Sequence, residues 1–178
     1  MMELHIEEFV RKLEFTEEEL ACFAGGSFTM TPHYRKSSNV LEISVRLPHV
    51  LPFALWELFL SKLKTHTRSE VALSIICEHT DTNIFEVFKY IAHYASVHPD
   101  QKVFAETMPS LDDTFIVYRI PEEETREIAI QHKHLLVEFL RSCGFQLNIN
   151  IMDAALDKQA EIPTVQGSAQ PTASRNTM

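Results

Sequence analysis

Glycine is scarce in this chain, with four in 178 residues. That is thin supply for a phosphate cradle, and no glycine-rich loop, nucleophile elbow or His-Glu-x-x-His helix occurs. Cysteine is scarcer still. Cys22, Cys77 and Cys143 are odd in number, widely spaced and without a Cys-x-x-Cys pair. This argues against a disulfide framework and for reduced thiols in the cytoplasm. No run approaches the roughly 18 apolar residues of a membrane-spanning helix. The opening Met-Met-Glu-Leu-His-Ile-Glu-Glu lacks the basic and apolar regions of a signal peptide. Basic residues are in deficit too, 16 Lys and Arg against 25 Asp and Glu, for a net charge of −9. Such a balance works against strong nonspecific DNA binding by the chain as a whole.

What is present is a hydrophobic fraction of 45%, enough for a real core, and a pattern that occurs twice. Leu41 to Cys77 reads strand, Arg-Leu-Pro, helix, strand; Phe115 to Ile151 reads strand, Arg-Ile-Pro, helix, strand. In the first copy Leu41, Ile43, Val45 and Leu47 alternate with Glu42, Ser44 and Arg46, the signature of a half-buried strand. In the second, Phe115 to Ile120 is apolar on both faces, as suits a covered strand. Leu147, Ile149 and Ile151 then alternate with Gln146, Asn148 and Asn150.

Around these units, Glu3 to Leu13 reads as an amphipathic helix. Thr16 with Glu19 forms a capping box for a second helix, which Gly25-Gly26 ends. Phe28, Met30 and Tyr34 are expected to form a first strand that turns through Lys36-Ser37-Ser38-Asn39. Pro52 opens a helix whose inward face is Leu55, Trp56, Phe59 and Leu63. Asp81 or Thr82 caps another, with Ile84, Phe85, Phe88, Ile91, Ala92 and Ala95 inward. Lys102 to Glu106 reads as a short strand and Leu111-Asp112-Asp113 as a turn. The helix from Glu122 to Ser142 carries a stripe of Ile128, Leu135, Leu136, Phe139 and Leu140, and Gly144 fits the position just past its end. After Met152 the composition shifts to Ala, Gln, Thr, Ser and Pro. The expected layout is one domain over residues 1–153 and a disordered tail or linker over 154–178. Its fold class is α+β: two ββαβ-like units, with helices packed on a mixed or antiparallel sheet.

The residues offer little catalytic chemistry. His132 and His134, two apart on a helix, point to different faces. Cys77 and His79 share one side of a strand end but lack further ligands at metal-like spacing. Asp112-Asp113 reads as a solvated turn rather than a carboxylate pair. No catalytic, cofactor-binding or metal-binding residue is assigned. Charge is uneven, however. Met1 to Leu20 carries a local −5, whereas Phe28 to Glu70 carries a local +3 from Arg35, Lys36, Arg46, Lys62, Lys64 and Arg68. These six residues are the candidate interaction or nucleic-acid surface, and Tyr34 and Tyr118 are the candidate base-stacking rings.

The stretch from Asn39 to Leu63, NVLEISVRLPHVLPFALWELFLSKL, resembles the N-terminal region of the PolC-type DNA polymerase III α subunit of Gram-positive-type bacteria. The likeness lies in the basic turn His33 to Ser38, the alternating strand, Leu51-Pro52-Phe53 and the helix with Trp56, Leu58-Phe59 and Leu63. It continues through a long charged helix into Cys143-Gly144-Phe145 and the last strand, covering roughly Phe15 to Asp153. The polymerase, 3'-5' exonuclease and PHP regions of that family lie far downstream and find no room in 178 residues. The resemblance implies a noncatalytic, cytoplasmic protein-interaction module. Its implied fold is similar to a KH-like domain and to the C-terminal domain of the clamp-loader tau subunit. A replisome protein such as tau is the implied partner, with weak single-stranded DNA contact allowed and no membrane contact. The alternative is a single-stranded nucleic-acid-binding KH-like domain, against which the adjacent pair Gly25-Gly26, in place of a GxxG clamp, counts.

Overall fold

A computed structural model describes residues 5–79 and 82–154. Residues 155–178, nearly all of the expected tail, lie outside the described residues, as does Asp81.

Two short helices come first, α1 (Ile6–Arg11) and α2 (Glu17–Ala21). The capping box is present: Thr16 Oγ1 accepts the Glu19 N–H at 3.2 Å, and Glu19 Oε2 accepts the Thr16 N–H at 2.9 Å. The first unit then runs β1 (Ser27–Phe28), β2 (His33–Arg35), β3 (Val40–Leu47), α3 (Phe53–Thr67) and β4 (Glu70–Cys77). β1 and β2 are two pieces of one hairpin arm. Both pair antiparallel with β3, Phe28 opposite Val45 and Tyr34 opposite Leu41, so the arm carries two extra residues between them. Across the α3 crossover, β3 pairs parallel with β4 from Val40–Glu70 to Leu47–Cys77.

A linking segment follows: α4 (Ile84–Val97), a 3-10 turn (Pro99–Gln101) and α5 (Val103–Glu106). The second unit is β5 (Ser110–Asp112), β6 (Phe115–Arg119), α6 (Glu123–Ser142) and β7 (Asn148–Met152). β5 and β6 form an antiparallel hairpin, and β6 pairs parallel with β7 across α6. The duplicated ββαβ pattern is therefore real, in two mixed sheets over one continuous apolar core. α6 packs on β4 of the first sheet as well as on β7 of its own, and so ties the sheets together.

Five expectations need correction. Val103–Glu106 is helix, not strand; Val103 and Phe104 are adjacent in sequence and both buried, which one turn of helix accommodates and an alternating strand does not. The hairpin partner of β6 is instead Ser110–Asp112, with Asp113 turning in the left-handed conformation (φ 54°). On α4 the buried stripe is Val87, Tyr90, Ile91, Tyr94 and Ala95, while Phe85 is 69% exposed. The two tyrosines enter the core because their hydroxyls donate to Leu51 O (2.6 Å) and Gln101 Oε1 (2.8 Å). On α6 the buried residues are Ala129, Leu136 and Leu140, one step round from the expected stripe, and Ile128 and Leu135 stand at its exposed margin. Asn83 rather than Thr82 is the cap of α4, its side chain accepting the Phe85 N–H at 2.8 Å.

Trp56 is buried as expected, ringed by Phe53, Tyr90, His93 and Phe139 at 5.3–6.0 Å between centroids. Its Nε1 is buried without a hydrogen-bond acceptor. An N–H···π contact within the aromatic cage is the compensation open to it.

Candidate interaction surface

Sheet pleating divides the first sheet into a core face and an outer face. Leu41, Ile43, Val45 and Leu47 share the core face with Val71, Leu73, Ile75 and Cys77. The outer face carries Glu42, Ser44 and Arg46 on β3, Ala72, Ser74 and Ile76 on β4, and His33 and Arg35 on β2. Of these residues only Ala72 and Ile76 are apolar, and Ile76 is 42% exposed.

The six basic residues do not form one tract. Arg35 pairs with Glu42 diagonally across the β2–β3 ladder. Lys64 reaches Glu70 at 3.3 Å. Lys62 is a structural cation: its Nζ donates to Leu13 O and Glu14 O, both at 2.9 Å, and lies 5.1 Å from the Phe15 ring centroid. It holds the α1–α2 loop against α3. Lys36, Arg46 and Arg68 are exposed and make no ion pair among the described residues. Lys36 and Arg68 lie at the same end of the sheet, where the Glu70 N–H donates to Asn39 O at 3.1 Å. Arg46 stands six residues along β3 from Val40, about 20 Å away at strand rise.

Tyr118 is not available for stacking. It is fully buried, packs edge-on to Phe104 and donates to Phe104 O at 2.8 Å; burial raises its hydroxyl pKa. Tyr34 is 45% exposed and its hydroxyl bonds the Asn39 side chain, bracing the turn. His49 and His79 stack at 5.1 Å, but no group of three or more metal-ligating side chains occurs among the described residues.

A cavity of about 520 Å³ opens where the two sheets meet, which sequence reading did not find. One wall is Ile75-Ile76-Cys77 of β4; the other is the end of α6 with Arg141 and Gly144, Asn148 at the start of β7, and Thr114 in the turn before β6. A sequence sign of it was available. After Glu70, β4 reads Val-Ala-Leu-Ser-Ile-Ile-Cys, with no charge or proline of the kind that usually guards a sheet edge.

Comparison with protein-family models, curated proteins and solved structures finds no match to this chain. The residues themselves therefore carry the functional reading. No described helix is long and apolar enough to cross a membrane.

The thiols give one direct check on this architecture. Burial pushes Cys77 up to about 11 and Cys143 up to about 12, from an ordinary 9.0. Cys22, half-buried, is raised first by burial and then by Glu19. Because the thiolate is the reactive form, a disulfide reagent at neutral pH should modify Cys22 alone, and slowly, until the protein unfolds. Rapid labelling of all three in the folded state would contradict the packing of α6 on β4. The sign of the linkage follows. Raised thiol pKa values stabilise the fold below pH 9, and that contribution is lost as pH rises through 11 to 12.

Proposed function

We propose that this chain is a noncatalytic protein-interaction module of the N-terminal, PolC-type kind. On this reading it has a KH-like fold related to the tau C-terminal domain, and it contacts another replisome protein, with tau the first candidate, in the bacterial cytoplasm. The observation that carries the reading is the disposition of the basic residues. A nucleic-acid groove needs cations free to meet successive phosphates. Here Arg35 and Lys64 are paired with glutamates and Lys62 is bound to backbone carbonyls, all within a molecule of charge −9. The stacking candidate Tyr118 is buried as well. The duplicated unit and the sequence resemblance support a scaffold rather than a reaction centre.

Two measurements test it. Purified clamp-loader tau subunit should bind the chain in a calorimetric titration; absence of binding removes that partner. Affinity for a labelled single-stranded oligonucleotide should be weaker than micromolar at about 150 mM salt. Sub-micromolar affinity that collapses on Lys36→Glu with Arg68→Glu would make nucleic acid the ligand instead.

A further inference from the structure

We propose that the free edge of β4 takes an extended, acid-bearing peptide segment of a partner protein as an added strand. The proposal rests on the interaction-module reading and names its surface.

The first ground is backbone accounting. The Glu70 N–H donates to Asn39 O and the Glu78 N–H to Leu47 O, so the even residues of β4 turn their amides toward β3. In a parallel ladder the intervening residues point the other way. Val71, Leu73, Ile75 and Cys77 therefore direct N–H and C=O to the outer edge, where no described residue meets them. Val71 and Leu73 are half-buried, whereas Ile75 (1% exposed) and Cys77 (4%) border the space beside β4 rather than open solvent, so a strand added to this edge meets the first two directly and the last two within that space. Buried backbone groups are rarely left unpaired.

The second ground is the cavity. Side chains of successive strand residues point to opposite faces, so Ile75, Ile76 and Cys77 can border one cavity together only through the strand's edge. The space of about 520 Å³ thus lies along the outward amides. An extended peptide presents N–H and C=O pairs every second residue, about 6.6–6.8 Å apart, the spacing of Leu73, Ile75 and Cys77.

Charge selects the occupant. The one formal charge lining the cavity is Arg141, whose single bond there is a 3.3 Å contact to Asn148 Oδ1 and which forms no ion pair among the described residues. Arg46, also unpaired, stands beside Ile76 in register on the outer face. A strand carrying Asp or Glu meets both cations, whereas a basic strand meets repulsion at each. A phosphate strand satisfies neither the outward N–H and C=O alternation nor the apolar Ile76.

The test uses the full chain and two short synthetic peptides, one alternating valine with threonine and glutamate, the other with lysine in place of glutamate. Amide resonances of Leu73, Ile75 and Cys77 should shift with the acidic peptide, and their hydrogen exchange should slow by at least about tenfold at saturation. The lysine peptide should bind about tenfold more weakly, and Arg141→Glu, at an exposed position, should reverse that preference. Leu73→Pro removes an outward N–H but no β3 bond, and should abolish the effect. Binding of both peptides unchanged by either variant would overturn the proposal. So would protection of those amides before any peptide is added: concentration-dependent protection means a second copy holds the edge, and concentration-independent protection means another part of this chain does. If tau binds but is indifferent to Leu73→Pro and Arg141→Glu, this surface is wrong while the interaction reading stands.

Discussion

Trp56→Ala should destabilise the protein by about 3–5 kcal/mol, the usual cost of removing a core aromatic. Trp56 of α3 meets rings of both α4 and α6, through Tyr90, His93 and Phe139, and stacks on Phe53 of its own helix. Removing it opens a space lined by flat rings that cannot close without moving a helix. Trp56→Phe should cost far less, under about 1.5 kcal/mol, since the buried Nε1 gives up no hydrogen bond. Urea unfolding followed by circular dichroism separates the two variants. The wild-type fluorescence adds a check, because Trp56 is the one tryptophan of the chain. Its emission should be blue-shifted and poorly quenched by acrylamide; strong quenching would place the ring on a surface.

Gly144→Ala should cost roughly 2–5 kcal/mol, for two separable reasons. Gly144 holds φ at +103° to end α6, with its own N–H donating to Arg141 O at 3.1 Å and the Phe145 N–H reaching back to Leu140 O at 2.9 Å. This is a Schellman closure, and side-chain-bearing residues resist the conformation it needs. The added Cβ would also stand 2.6 Å from Cys77 Sγ. Cys77→Ala in the same chain removes the clash but not the backbone strain. The double variant should regain part of the loss in a denaturant titration. Full recovery would mean that the backbone contributes nothing, and no recovery would mean that α6 does not press on β4 as described.

Much of this fold was legible in the chain because its long elements carry their own periodicity. The alternation of Val40–Leu47 and Glu70–Cys77, the capping box at Thr16, the inward face of α3 and the glycine after α6 are local signals, and the structure holds each of them. The misses share a different cause. Ser110–Asp112 is strand only by virtue of its partner β6; three residues, two of them polar, announce nothing alone. Tyr90 and Tyr94 look polar until Leu51 O and Gln101 Oε1 come within reach. Of the six basic residues, Lys62 was the most misleading. Its partners Leu13 O and Glu14 O are backbone atoms 48 or more residues away, which no charge count reveals. The free amides of β4 and the cavity beside them are likewise properties of topology rather than of composition.

The two surplus residues in the first hairpin arm restrict how this sequence can drift. β1 meets β3 with Phe28 opposite Val45, and β2 with Tyr34 opposite Leu41; the slip between them is an even number, so both pieces keep the same residues toward the core. A deletion of two residues from the stretch between Thr29 and Pro32 restores an unbroken ladder and leaves every facing intact. A deletion of one exchanges the faces of His33, Tyr34 and Arg35, all three of them exposed, and so loses the Tyr34–Asn39 and Arg35–Glu42 contacts without driving a charge into the core. Changes in this arm by pairs of residues should therefore be silent, and single-residue changes should cost no more than those two surface contacts.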